Sequence, residues 1–129
     1  MAAADTSDRY HTECLTLLET DPGPLVTTAM VIAETIYLLA REIGPKAEVA
    51  IYDAILDKTL AVEPLLDDDW RRIRELVVVY EDLGLGGTDA SLIAVAERLG
   101  VTRVATIDGT HFRVVRPSHC DAFELLPAP

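Results

Sequence analysis

The chain has 129 residues, of which 50% are hydrophobic, 26% charged and 5% aromatic, and its formal net charge is −11. This length supports one compact domain and is too short for two, while the ordinary balance of apolar and charged residues excludes a generally disordered chain. The acidic surplus predicts a self-repelling surface and argues against a long basic surface for nucleic acid.

Composition also predicts the compartment. The two cysteines, Cys14 and Cys120, have no metal-type pairing around them, which favours a reduced protein with inert thiols. No apolar run is long enough to span a membrane. The first residues lack the basic and apolar regions of a signal peptide. We therefore expect a cytoplasmic protein that does not interact with a membrane.

Helical and strand patterns alternate through the first half of the chain. They predict a helix over 7–20, a strand over 25–27, a helix ending near 44–45, a helix over 46–57 and a strand over 60–64. Either Thr27 or Thr28 is expected to cap the helix that follows the first strand, because a Ser or Thr hydroxyl accepts from the free N–H groups of a helix start.

The second half continues the alternation. Asp67, Asp68 and Asp69 open a helix, and we interpret this acidic run as a cap that offsets the helix dipole. The apolar residues expected on its buried stripe are Trp70, Ile73, Leu76, Val77 and Tyr80. A second helix is expected to begin at a Thr88 cap and end at Gly100, with Leu92, Ile93, Val95, Ala96 and Leu99 inside. Strands are predicted over 101–107 and 123–126. This order predicts an α/β protein whose parallel sheet is covered on both faces.

Three acidic residues lie at positions where a carboxylate can have a functional role: within an apolar helical run, at a helix start and at the end of a strand. Glu34 lies within an apolar helical run, where an unpaired carboxylate is costly, although a position on the wet edge of the helix is an equally good interpretation. Asp89 lies at the first turn of a helix, where capping alone is common. Asp108 ends a predicted buried strand, the position where ligands gather in open α/β sheets, although a turn-forming Asp is also possible there.

These three carboxylates, Glu34, Asp89 and Asp108, are all expected at one edge of the sheet. Clustered like charges repel each other unless a cation neutralises them. Mg²⁺ and Mn²⁺ prefer carboxylate and water oxygens as ligands. The sequence therefore predicts a Mg²⁺ or Mn²⁺ site formed by these residues, and only the combination is specific.

The ordered set of motifs resembles the VapC-like toxins of the PIN-domain family. The segments that carry the resemblance cover nearly the whole chain and are Val31-Ile32-Ala33-Glu34, Gly87-Thr88-Asp89-Ala90, Ala94-Val95-Ala96-Glu97-Arg98-Leu99-Gly100, Ala105-Thr106-Ile107-Asp108-Gly109-Thr110-His111-Phe112 and Phe123-Glu124-Leu125-Leu126-Pro127. The resemblance implies a three-layer α/β/α fold with a central parallel sheet, as a single PIN-like domain over residues 1–129.

The same resemblance implies an activity and partners. It implies metal-dependent endonucleolytic cleavage of RNA, inhibition by a small antitoxin, and homodimerisation. Glu34, Asp89 and Asp108 would correspond to the second, third and fourth acidic residues of the family, with Thr88 and Thr106 as polar supports. If the site is complete, Asp89 and Asp108 would hold the ion together with an upstream Asp, and Glu34 would bind through water or orient the nucleophile.

The sequence of the chain differs from the family pattern at the N-terminus. The family opens with an apolar strand that ends in the first metal-binding Asp. Asp5-Thr6-Ser7 imitates this motif, but only four residues precede Asp5, whereas a strand normally needs about five or six to pair well. We therefore expect the first strand and the first acidic ligand to be missing, and Asp5 is the less favoured candidate.

The basic residues and histidines allow weaker hypotheses. The arginines available for RNA are Arg71, Arg72, Arg74, Arg103, Arg113 and Arg116. Arg113 and Arg116 could hold phosphates, although solvated surface charge is the favoured interpretation. His11, His111 and His119 are expected to have structural or surface roles, and His111 follows Asp108 by three residues.

Two other functional classes match parts of this pattern. A receiver-type signalling domain also clusters acidic residues and Mg²⁺ at strand ends, but neither Lys46 nor Lys58 is placed as that class requires. The stronger alternative is a catalytically impaired PIN-fold remnant that acts as an antitoxin-binding module.

Overall fold

The computed structural model describes residues 25–105 and 110–126. The helix predicted over 7–20, Asp5, and the end of the strand predicted to reach residue 107 lie outside the described residues. The chain divides into two compact units, one ending at Glu63 and the other beginning at Pro64.

The N-terminal unit has the predicted strand, helix, helix and strand order. Its elements are β1 (Leu25–Thr28), α1 (Ala29–Glu42), α2 (Pro45–Leu56) and β2 (Leu60–Glu63). β1 and β2 pair in parallel, with Leu25 opposite Leu60 and Thr28 opposite Glu63. A parallel pair needs a long crossover connection, which α1 and α2 provide.

The start of α1 confirms the predicted threonine cap. Thr28 has an extended backbone, and its Oγ1 accepts a hydrogen bond of 3.3 Å from the backbone N–H of Val31. At the other end, Gly44 has a φ of +123°, a conformation that glycine adopts without a Cβ penalty. Pro45 then occupies the first position of α2, where its missing N–H has no helical partner to lose.

The C-terminal unit continues the alternation. Its elements are α3 (Asp67–Val79), a 3₁₀ turn (Glu81–Leu83), α4 (Gly87–Leu99), β3 (Arg103–Ala105), α5 (Thr110–Val114) and β4 (Glu124–Leu126). β3 and β4 are parallel, with Arg103 opposite Glu124 and Ala105 opposite Leu126. The predicted strands are confirmed within the described residues, whereas the five-residue helix α5 was not expected. Every described strand pair is parallel, as predicted for an α/β protein.

The core of the C-terminal unit lies between α3 and α4. Ile73 and Leu76 of α3 are buried, as predicted. The buried residues of α4 occupy most of its circumference, which is typical of an enclosed helix, and they are Ala90, Ser91, Ile93, Ala94, Val95 and Ala96. Two predictions were wrong, because Trp70 is 50% exposed and Leu99 is also exposed. In the first turn of α3, Asp69 takes the buried position that was expected for Trp70.

Candidate active site

Asp89 lies in the first turn of α4, as its sequence position predicted. The expected Thr88 cap is wrong, because the helix begins one residue earlier: Gly86 is the N-cap, and its carbonyl accepts from the N–H of Ala90 at 3.0 Å. Asp89 is consequently the third helical residue. A carboxylate there interacts favourably with the positive end of the helix dipole.

The Asp89 carboxylate has a specific partner on α5. Its Oδ2 lies 2.9 Å from Nδ1 of His111, and the side chains of Asp89 and His111 are 37% and 29% exposed. Within the described part of the chain, Oδ1 of Asp89 has no hydrogen-bond partner. One oxygen of this carboxylate is therefore held by the protein, and the other faces no protein donor that the structure describes.

The sequence interpretation did not predict the contact between His111 and Asp89. His111 was expected to be structural or exposed, and the one signal that pointed to the site was its position three residues after Asp108. The contact joins residues 22 positions apart. No local pattern predicts a pair so distant in the chain.

The other predicted acidic residues are not brought to Asp89 by the described structure. Asp108 and Thr106 lie outside the described residues. Glu34 is exposed on α1 and belongs to the N-terminal unit, whereas Asp89 belongs to the C-terminal unit. Because Glu34 is exposed, its carboxylate is not buried, and burial gives no reason to expect a cation beside it. A metal ion shared by the three carboxylates stays a prediction.

The described donor set is compatible with a hard divalent cation but incomplete. Among the described residues, no group of three or more His, Cys, Asp or Glu side chains is arranged to hold a metal ion. The carboxylate of Asp89 is the kind of oxygen donor that Mg²⁺ and Mn²⁺ prefer. A complete site therefore needs further oxygen ligands, and Asp108 is the nearest acidic residue along the chain before His111.

A buried ion-pair network supports the helix that carries Asp89. Both carboxylate oxygens of Glu97 accept from Arg72 of α3, at 2.7 and 2.9 Å, and Oε2 also accepts from the N–H of Ser118 at 2.7 Å. Burial acts to raise the pKa of Glu97, but the bonds from Arg72 and Ser118 together outweigh it and hold the pKa below its ordinary value. The network fixes α4 to α3 and to the segment after α5.

A second network fixes the two helices near the start of α3. Nε of Arg98 lies 3.1 and 3.0 Å from the two oxygens of Asp69, and its Nη2 donates to the carbonyl of Pro64 at 3.0 Å. Oδ2 of Asp69 also accepts from the N–H of Leu66 at 2.9 Å. Of the acidic run predicted as a cap, Asp69 accepts the capping hydrogen bond, and it also forms a buried ion pair that was not predicted.

The arginines divide between structural pairs and exposed side chains. Arg72 and Arg98 are engaged in the two networks, Arg71 pairs with Asp68, and Arg103 lies 3.7 Å from Glu124. Arg113 and Arg116 are exposed. In the described structure neither of these two side chains forms an ion pair.

Comparison with known proteins identifies the family of this chain. The PIN domain model matches residues 1–116, and the chain belongs to the PIN domain family. Its α/β fold with parallel strands is a PIN-like fold.

Within that family the chain is similar to VapC proteins. It is 24% identical over 127 residues to ribonuclease VapC26 of Mycobacterium tuberculosis, an alignment that covers 98% of this chain and 94% of that protein. The crystal structure of M. tuberculosis VapC20, a sarcin–ricin loop cleaving toxin, matches with a TM-score of 0.76 and 27% identity over 84% of this chain and 83% of that one. The predicted resemblance to PIN-domain VapC toxins is confirmed.

None of the helices in the described ranges is long and apolar enough to cross a membrane.

Proposed function

We propose that the chain is a metal-dependent endoribonuclease and the toxin of a type II toxin–antitoxin pair. Membership of the PIN family and similarity to a ribonuclease and to an RNA-cleaving toxin support this function. The observation that carries it is the Asp89 carboxylate, held at the start of α4 with one oxygen bound by His111. Neither the comparisons nor the described residues favour the alternative of a non-catalytic remnant.

Asp89 and Asp108 would hold Mg²⁺ or Mn²⁺, with Glu34 as a third ligand or as the residue that orients the attacking water. Asp108 precedes His111 by three residues, so the Cα atoms of these two residues can be no more than about 11 Å apart. Since His111 contacts Asp89, the connectivity of the chain supports a site that both aspartates share.

The chemistry of the proposal is hydrolysis of an RNA phosphodiester bond. A bound divalent cation would neutralise charge on the phosphate and lower the pKa of a water molecule. The carboxylates of the chain would fix the position of the reacting groups, which removes much of the entropic cost of bringing them together. Arg113 and Arg116 are exposed on the same unit as Asp89 and could contact neighbouring phosphates.

The proposed partners are an RNA substrate and a cognate antitoxin, with a second copy of the chain in a homodimer. The net charge of −11 is unfavourable for extensive phosphate contacts and favourable for a basic antitoxin segment. We therefore propose that the RNA is held mainly at the metal site, while the acidic surface serves the antitoxin.

The test is RNA cleavage by the wild-type chain and by Asp89→Asn in Mn²⁺, with total RNA and a sarcin–ricin stem-loop as substrates. Loss of even an outer contact to a metal ligand typically costs 10–100-fold, so loss of the ligand is expected to reduce cleavage at least about 100-fold. Asp82→Asn, which changes an exposed carboxylate in the 3₁₀ turn of the same unit, is the matched control and should cleave normally. Cleavage that survives EDTA would contradict the metal dependence.

A further inference from the structure

The contact between Asp89 and His111 is the one described interaction of the candidate site, and its geometry is specific. Nδ1 of His111 and Oδ2 of Asp89 are 2.9 Å apart, a normal hydrogen-bond distance. Both residues belong to the C-terminal unit. Both side chains are partly exposed, so the pair lies where a ligand from solution can reach it.

The position of His111 is fixed by its neighbours on α5 and by the residue that follows this helix. Phe112 and Val115 are almost fully buried, and the ring of Phe112 packs edge-on against Phe123 with 6.2 Å between ring centroids. The N–H of Arg116 donates to the hydroxyl of Tyr80 at 2.9 Å, which attaches the end of this segment to the residue after α3. His111 therefore lies on an anchored helix, and its ring can hold another side chain in place.

The direction of the hydrogen bond follows from the chemistry of the two groups. An ionised carboxylate has only acceptor atoms, so Nδ1 carries the hydrogen and donates it to Oδ2 whether the imidazole is neutral or charged. Carboxylates that bind metals commonly have one oxygen fixed in this way by an outer donor, which orients the other oxygen toward the ion.

We propose that His111 is a positioning residue for the metal site: its Nδ1–H fixes Oδ2 of Asp89, and Oδ1 would then be the oxygen that binds a divalent cation. This inference rests on the proposed function, because it takes Asp89 as a metal ligand. It assigns His111 an effect on metal affinity that acts through Asp89, without a contact between His111 and the RNA.

Two substitutions separate the nitrogen atoms of the imidazole. In His111→Asn the side-chain amide can lie near the position of Nδ1 and can still donate to Asp89, whereas nothing replaces Nε2. In His111→Gln the amide reaches toward the position of Nε2, and the donor at Nδ1 is lost. If His111 positions Asp89 through Nδ1, Asn can fulfil its role. If His111 contacts the substrate through Nε2, Asn cannot.

The first measurement is the Mn²⁺ affinity of the whole chain by isothermal titration calorimetry. His111→Asn should bind Mn²⁺ within about threefold of the wild type, and His111→Gln should bind about 10–100-fold more weakly. His119→Gln is the matched control, because His119 lies in the same unit and contacts the carbonyl of Val101 instead of an acidic residue. Its Mn²⁺ affinity should be unchanged. Thermal unfolding of each variant shows whether it is folded.

The second measurement needs no variant. Long-range ¹H–¹⁵N NMR of the metal-free wild-type chain in alkaline buffer reports which nitrogen of His111 carries the hydrogen. The expected result is hydrogen on Nδ1 and a bare Nε2. A ring with its hydrogen on Nε2 cannot donate to Asp89 and would overturn the inference.

The outcomes separate this inference from the proposed function. If His111→Gln binds Mn²⁺ as tightly as the wild type while Asp89→Asn loses both binding and cleavage, the role of His111 is refuted and the nuclease function stands. A weakening of His111→Asn equal to that of His111→Gln also refutes positioning. If the expected Mn²⁺ affinities are found but the wild-type chain cleaves no RNA, the role of His111 stands and the nuclease function fails.

Discussion

Two adjacent carboxylates at the start of α3 occupy opposite environments. Asp68 is 89% exposed and pairs with Arg71 on the surface. Asp69 is only 4% exposed, and its oxygens accept from Arg98 and from the N–H of Leu66. A buried carboxylate is tolerated only when it is paired and hydrogen-bonded, so Asp69 depends on its partners in a way that Asp68 does not.

This contrast predicts different costs for one chemical change. Asp69→Asn removes the buried carboxylate that accepts from Nε of Arg98 and should lower the free energy of unfolding by about 2–3 kcal/mol. Asp68→Asn breaks an exposed pair and should cost less than about 0.5 kcal/mol. Chemical denaturation of both variants measures the difference. Equal losses would mean that the Asp69–Arg98 pair contributes no more than a surface contact.

The single residues also show which parts of the site the sequence can predict. The place of Asp89 in the first turn of a helix was predicted, because a glycine-rich loop followed by polar residues is a local signal of a helix start. His111 was not recognised as its partner, and Arg98 was not recognised as the partner of Asp69, because these pairs join positions 22 and 29 residues apart. Such pairs depend on how helices pack, and one sequence carries no periodic signal for them.

At the scale of elements, Glu97 links α4 to two other parts of the unit. Its side chain is 8% exposed, and it accepts from Arg72 of α3 and from the backbone of Ser118 after α5. The pKa of Glu97 is held below its ordinary value of 4.5 in the folded chain, since these donors together outweigh the effect of burial. The ionised form of Glu97 therefore stabilises the fold.

The sign of this shift predicts a pH dependence. Because the pKa of Glu97 is lower in the folded state, its contribution is complete above the unfolded value of 4.5 and is lost as pH falls through the folded value. Glu97→Gln should therefore be less stable than the wild type at neutral pH, and the gap should narrow as the pH falls below 4.5.

Urea unfolding across this pH range measures the gap. Glu75→Gln is the matched control, because Glu75 also pairs with Arg72 but is exposed. Its stability difference from the wild type should be small at every pH. A Glu97→Gln gap that stays constant, or that widens toward acid, would contradict the argument.

Helix boundaries show why some elements were predicted closely and others were not. A cap at Thr27 or Thr28 was predicted because threonine at the end of a strand, immediately before an apolar helix, is a local signal, and Thr28 is the cap. Thr88 failed as a cap because Gly86 adopts the extended cap conformation and the helix starts at Gly87. The short α5 lacks the length that makes apolar periodicity visible. The burial of Phe112 within it and of Val115 directly after it comes from tertiary packing.

For the whole molecule, charge and the proposed metal site are connected. A chain with a net charge of −11 is destabilised by self-repulsion, so any salt that screens charge should stabilise it to some degree. A divalent ion bound at Asp89, as proposed, would add a separate stabilisation if it binds the folded chain and not the unfolded one. Site binding requires the carboxylate of Asp89, whereas general charge screening does not.

Thermal unfolding at constant ionic strength separates them. At Mn²⁺ concentrations about tenfold above Kd, site binding should add about 1.4 kcal/mol to the free energy of unfolding of the wild-type chain, which corresponds to a rise in Tm of about 5 °C. Asp89→Asn should lose this rise, and Asp82→Asn should keep it, although both remove one negative charge. An equal rise in all three chains would mean that Mn²⁺ acts through general screening, because only a bound ion distinguishes the carboxylate that His111 holds from one that is merely exposed.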